Sequence, residues 1–126
     1  MLPRHRILLV DDSPDSSEPL SLLLQSRGHE TQIATDGEGA LAAADEFRPD
    51  CVLLDLGLPR MDGYEVARQL RARPYGSELI LIALTGWAGK DVRTRAAEAG
   101  FDYHLVKPVN WDELEKIVES AGSPAT

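Results

Sequence analysis

Short apolar runs alternate with stretches of helical period along this chain, and that alternation constrains its fold more than any other feature. Five runs stand out: Arg6–Asp11, Glu30–Ala34, Cys51–Asp55, Leu79–Leu84 and Tyr103–Lys107. Three of them (Ile-Leu-Leu-Val, Cys-Val-Leu-Leu and Leu-Ile-Leu-Ile-Ala-Leu) are apolar without interruption. Continuous apolarity over so short a length marks strands covered on both faces. Between the runs the apolar residues recur at helical spacing. Leu20, Leu23 and Leu24 share one face, as do Leu41 and Ala44 with nearby Phe47. Val66, Ala67 and Leu70 form a third stripe, Val92, Ala96 and Ala99 a fourth, and Leu114, Ile117, Val118 and Ala121 the last. Ser13-Pro14 puts a cap residue before a first-turn proline. Asp62 with Glu65, and Asn110 with Glu113, have the spacing of capping boxes. Gly28 and Gly100 sit where helices should stop.

The expectation is an α/β fold in which a strand-helix unit repeats five times around a five-stranded parallel sheet. Helices on both faces make it a flavodoxin-like three-layer sandwich. Right-handed crossovers leave few topologies, and the strand order 2-1-3-4-5 is the common one. With 126 residues the chain reads as one domain, 1–126, with its core at about 6–121 and a short tail at 122–126. Thirteen Lys and Arg against 21 Asp and Glu give a net charge of −8. That balance argues against nucleic acid as a direct partner and against an anionic membrane surface. The longest purely apolar run, Leu79–Leu84, has six residues, where a membrane span needs about 20. The single cysteine, Cys51, cannot form an internal disulfide, so a cytoplasmic location is expected.

In sheets of this kind ligands bind beyond the C-terminal ends of the strands, where the strand order reverses. The first run ends in Asp11-Asp12, the third in Asp55, the fourth in Thr85-Gly86 and the fifth in Lys107-Pro108. Three carboxylates cannot share a small site uncompensated. A hard divalent cation such as Mg²⁺ resolves the conflict, since it takes a few carboxylate oxygens and keeps several waters. Lys107 adds a positive charge and Thr85 a hydroxyl donor. This set suits phosphoryl transfer to an ionised carboxylate, with metal and lysine neutralising the transferring group. Asp55 is the best nucleophile candidate, because it ends the central apolar run before a tight Gly- and Pro-containing loop. Asp11 and Asp12 read as metal holders.

Four segments, in this order and spacing, resemble the receiver domain of bacterial two-component response regulators. They are Val10-Asp11-Asp12, Asp55-Leu-Gly-Leu-Pro-Arg-Met-Asp-Gly63, Leu84-Thr85-Gly86 and Leu105-Val-Lys107-Pro108. The resemblance runs from Arg6 to about Ala121, and residues 101–109 are similar to receivers of hybrid sensor histidine kinases. It implies a phosphorelay switch, not an enzyme, in which Asp55 accepts a phosphoryl group from a partner phosphohistidine. It implies Asp12 as a direct metal ligand beside Asp55, Asp11 acting through water, and the Gly57 carbonyl completing the protein's share of a shell for Mg²⁺, or Mn²⁺ in its place. Thr85 becomes the conformational switch, Lys107 the phosphate partner, and the Lys107–Pro108 peptide bond cis. Gly57 and Trp87, each two residues past a site residue, become positions that tune phosphoryl lifetime. The implied partners are a sensor histidine kinase or phosphotransfer domain, and downstream a protein target or kinase domains in the same protein. The implied signalling surface comprises the fourth helix, fifth strand and fifth helix, on a monomer or a weak dimer formed there. Only Gly122 to Thr126 follow the last helix, so no output domain is expected and the receiver stands alone or comes from a longer hybrid protein.

One position departs from the pattern: receivers carry Tyr or Phe three residues before the lysine, and here that residue is His104. By strand alternation His104 faces the signalling surface, either as a switch element that can gain charge or as a plain surface residue. His5 and His29 read as exposed and incidental, and Cys51 as a small core residue. Trp111 is expected to pack the start of the last helix, and Trp87 to serve loop packing or a partner contact. Two other functions share the topology. A flavodoxin-like cofactor binder would want a Ser/Thr/Gly-rich phosphate loop after the first run, where this chain has Asp-Asp-Ser-Pro-Asp. A small Asp-nucleophile phosphatase would place two acids two residues apart at that point.

Overall fold

The computed structural model describes residues 5–58, 62–86 and 89–121. In chain order the elements are β1 (Arg6–Val10), α1 (Pro14–Ser26), β2 (Glu30–Ala34), α2 (Gly37–Phe47), β3 (Cys51–Asp55), α3 (Gly63–Arg71), β4 (Ile80–Thr85), α4 (Lys90–Ala99), β5 (Tyr103–Val106) and α5 (Trp111–Ala121). All strand pairs are parallel and the sheet order is β2-β1-β3-β4-β5. This is the flavodoxin-like architecture expected from the alternation.

The continuously apolar runs become the inner strands, and their two-residue side-chain period divides them between two cores. Leu8, Val10, Val52, Leu54, Leu81 and Ala83 pack toward the layer that includes Ala40 and Ala44 of α2, Val66 and Leu70 of α3, and Ala96 and Ala99 of α4. The alternate residues Ile7, Leu9, Leu53, Ile82 and Leu84 pack toward Leu24 of α1 and Leu114 and Val118 of α5. Trp111 packs against this second cluster.

Several local expectations change in the folded chain. Leu23 is 42% exposed, because the buried line of α1 runs through Ser17, Ser21 and Leu24. Ser21 can sit inside because its hydroxyl is 2.7 Å from that of Thr31 on β2. Ser13 is the cap residue of α1, but its side chain makes no capping bond. Asp62 accepts from the Tyr64 N–H and Asn110 from the Glu113 N–H, so only the latter reaches the capping-box position. Asp36 caps α2 by accepting from Gly39. Gly100 ends α4 at φ +105°, a left-handed conformation that suits glycine.

His5 and His29 are not exposed: both are buried and their rings stack at 5.5 Å. The His5 backbone N–H donates to His29 Nδ1 at 3.1 Å, tying the entry of β1 to the turn before β2. The rings lie where β1 and β2 begin side by side, so pairing of the strands buries them.

Candidate functional site

Register brings the strand-end residues together. Val10 pairs with Leu54 across β1 and β3, so Asp11 and Asp55 follow as neighbours at the point where strand order reverses. Leu56 N–H donates to the Leu84 carbonyl and Lys107 N–H to the Thr85 carbonyl, which carries the alignment across β4 and β5. Asp11 and Lys107 lie one residue beyond their strands, where the chain is free to turn toward the site. The Lys107–Pro108 bond is cis.

Asp11, Asp55 and Thr85 are buried, Lys107 is half-buried, and Asp12 is exposed. Asp11 Oδ1 accepts from the Ser13 N–H at 2.9 Å, and Asp55 Oδ1 from the Gly57 N–H at 2.8 Å. Each carboxylate is thus aimed by its own loop backbone. Lys107 Nζ donates to Asp55 Oδ2 at 2.7 Å and lies 3.5 Å from Asp11 Oδ2. Burial alone would pull the lysine's pKa down, but the hydrogen bond and charge of Asp55, with Asp11, outweigh it and hold it above the ordinary value.

Asp11, Asp12 and Asp55 can each offer one oxygen, and these oxygens lie within 4.8 Å of one another. Three carboxylates against one ammonium, −3 + 1, leave two negative charges on the cluster. The donors are all hard oxygens and the residual charge is that of a dication's complement, so the residues fit Mg²⁺. The Gly57 loop stands against this cluster through its bond to Asp55. Beside it a cleft of about 450 Å³ runs past Asp11 and Lys107, with Pro19, Leu20, Leu84 and Val109 among its walls. Chemically the arrangement offers Asp55, a buried carboxylate oriented by a lysine and a backbone amide, beside Asp11 and Lys107 of the cleft wall.

His104 stands apart from the carboxylates. It is half-buried on β5 and shares a groove with Gly89, Arg93 and Val106. Strand register pairs Ala83 with His104 and Thr85 with Val106, so Thr85 and His104 belong to the face covered by α4. Burial, and secondarily Arg93, hold the His104 imidazole below its usual pKa, so the ring is neutral at neutral pH. Trp87 lies outside the described residues. The sequence reading missed the Ser13 amide as a partner of Asp11; an Asp just past a strand end, whose carboxylate can accept from the backbone N–H two residues on, is the signal for such a turn.

The family model for the response regulator receiver domain matches residues 7–119. The chain is 35% identical over 118 residues to an uncharacterised 14.6 kDa protein of Leptolyngbya boryana, covering 94% of this chain and 90% of that protein. It is 41% identical over 111 residues to the DNA-binding response regulator MtrA of Mycolicibacterium smegmatis, covering 88% of this chain. The chain spans about half of that relative, 47% of its length. Among solved structures, the receiver domain of a Pseudomonas aeruginosa sensor histidine kinase, with magnesium coordinated in its active-site cleft, matches at TM-score 0.85 and 35% identity. That match covers 94% of this chain and 98% of the other. A chemotaxis response regulator of Vibrio cholerae matches at TM-score 0.85 and 30% identity, over 92% and 97% of the two chains.

Proposed function

The chain belongs to the response regulator receiver domain family of two-component signalling, and from that premise we propose that Asp55 accepts a phosphoryl group from a phosphohistidine on a partner protein. The observation that carries the proposal is the cluster itself: three carboxylates within 4.8 Å and Lys107 Nζ 2.7 Å from Asp55 Oδ2. An Asp55 oxygen attacks phosphorus, the P–O bond forms as the P–N bond breaks, and the imidazole leaves with the electron pair and takes a proton from solvent. Lys107 counters the negative charge of the group arriving beside Asp55. Asp12, Asp55 and the Gly57 carbonyl, with Asp11 through water, would hold Mg²⁺ or Mn²⁺, which when bound neutralises charge on the phosphoryl oxygens. The backbone bonds from Ser13 and Gly57 keep the two buried carboxylates oriented before the partner arrives.

The cleft beside Asp11 and Lys107 suits a sensor histidine kinase or phosphotransfer domain presenting its histidine. The downstream partner, a protein target or kinase domains in the same protein, reads the surface of α4, β5 and α5. Thr85 reports the phosphoryl group to that surface and His104 relays it, since both belong to the α4 face. Gly57 and Trp87 set how long the phosphoryl group survives. In this reading the chain is a cytoplasmic switch, monomeric or weakly dimeric, and not an enzyme.

Intact-mass spectrometry after acetyl phosphate and Mg²⁺ tests the assignment. One phosphoryl increment is expected, lost in Asp55→Asn and on chelation of the metal. Undiminished labelling of Asp55→Asn would overturn it.

A further inference from the structure

Asp55 is followed by a backbone amide that the proposed phosphotransfer leaves unused. Asp55 Oδ1 accepts from the Gly57 N–H at 2.8 Å, so the carboxyl leans along the intervening Leu56 peptide. A backbone nitrogen one residue past an aspartate can attack the side-chain carbon and close a five-membered imide. A free carboxylate resists that attack, because it would have to expel hydroxide. An acyl phosphate invites it, because phosphate is a good leaving group.

Two features hold the Leu56 nitrogen off. Its N–H is committed to the Leu84 carbonyl at 2.9 Å, which continues the pairing of Asp55 with Leu84 across β3 and β4. Asp55 is itself the last residue of β3, and closing the ring requires its backbone to leave the extended region. Gly63, the first residue of α3, lies against the same peptide. A Cβ there would stand 2.9 Å from Leu56 Cα and 3.1 Å from the Asp55 carbonyl oxygen. The start of α3 therefore presses on the peptide that β4 holds, and Asp55 and Leu84 are both buried.

We propose that Asp55–Leu56 is a latent self-modification site, silent in the folded chain and released by opening of the chain once Asp55 is phosphorylated. The proposal rests on the function inferred above and adds the fate of the phosphorylated chain. When the Leu56–Leu84 bond opens, Leu56 N attacks Asp55 Cγ. The C–N bond forms, the bond from Cγ to the phosphoryl-bearing oxygen breaks, phosphate leaves with the electron pair, and the amide proton goes to solvent. Water then opens the imide at either carbonyl, giving back aspartate or giving isoaspartate, whose backbone runs through the former side chain. The isoaspartate carboxylate is displaced from Lys107, so that chain no longer accepts a phosphoryl group. Strand hydrogen bonds break only by local or global unfolding, so the cost of opening sets how rarely this happens.

The test uses the full chain, phosphorylated with acetyl phosphate and Mg²⁺, freed of donor, and divided between native buffer and guanidinium chloride at one pH. Intact mass and peptide mapping follow both halves. In native buffer the phosphoryl increment is expected to disappear by hydrolysis to the unmodified mass. In denaturant a species one water lighter than the unmodified chain, mapping to Asp55–Leu56, is expected at roughly tenfold its native level or more. Unphosphorylated chain in denaturant should form none over the same time. Gly63→Ala must displace the Leu56 peptide, so it should raise the lighter species several-fold in native buffer. The wild-type comparison is a test by itself if that variant does not fold. Equal levels in the two solvents, or a Gly63→Ala level equal to wild type, overturn the protection. Loss of label in denaturant with no lighter species, or equal formation without phosphorylation, overturns the site but leaves Asp55 as acceptor. A wild-type chain that takes no label overturns the Asp55 reading and this site with it.

Discussion

At the scale of single residues, the site is a balance of charge. Asp12 adds a third carboxylate to a pair that Lys107 already bridges, and its own side chain is exposed. Removing its charge without touching the Lys107 contacts relieves like-charge repulsion. Asp12→Asn is therefore expected to raise the metal-free melting temperature by a few degrees, for a repulsion of about 1 kcal/mol in a solvated site. A melting temperature unchanged or lowered in chelator would show that Asp12 does not repel its neighbours.

His29 sets a pH dependence of stability. Burial first, then the adjoining His5, hold its pKa below 6.5, against a smaller opposing pull from Glu115, which itself pairs with Arg27. His5 in turn lies 3.9 Å from Asp50. A base with a lowered folded pKa contributes stability that is complete above its unfolded value and lost as pH falls through the folded one. Urea midpoints should thus fall as pH drops below about 6.5, and His29→Gln should flatten that slope. An identical slope in the variant would assign the acid sensitivity elsewhere. Cys51 offers a third check: burial pushes its thiol far above the ordinary range, so thiol reagents should leave the native chain unlabelled.

At the scale of elements, the turn after α3 shows how closely the segments fit. A Cβ on Gly76 would stand 2.2 Å from the Arg71 carbonyl oxygen, which is backbone and cannot swing aside. Gly76→Ala is expected to cost about 3 kcal/mol, read from chemical denaturation. A cost near zero would mean that the turn relaxes. The helix starts were legible because capping residues act locally: Asp62 and Asn110 occupy the cap positions their spacing predicted. The bonds from the Arg71 guanidinium were not legible, since their acceptors are carbonyls of Gly76, Leu79 and Gly100, identities that leave no side-chain signature.

At the scale of the whole molecule, metal binding and stability are linked. A ligand held only by the folded carboxylate cluster stabilises the fold by mass action, about 2.7 kcal/mol at a hundredfold excess over its dissociation constant. Mg²⁺ should raise the melting temperature of the wild type, and Asp12→Asn should lose most of that response. A Mg²⁺ response retained in the variant would remove Asp12 from the ligand set.

The sequence by itself determined the α/β class, the strand order and the residues that meet at the strand ends. The class and the strand-end residues follow from signals carried within a few positions, a period of two or of 3.6, a cap, an acid at the end of an apolar run, while the order follows from the few topologies that right-handed crossovers allow. Tertiary structure alone decided that Leu23 faces solvent while Ser21 is buried, that His5 and His29 stack inside, and that Arg71 bonds the Gly100 carbonyl at the end of α4. Each of these depends on which surface of a second element lies opposite. Burial belongs to pairs of segments, and the chain's local pattern describes only one member of each pair.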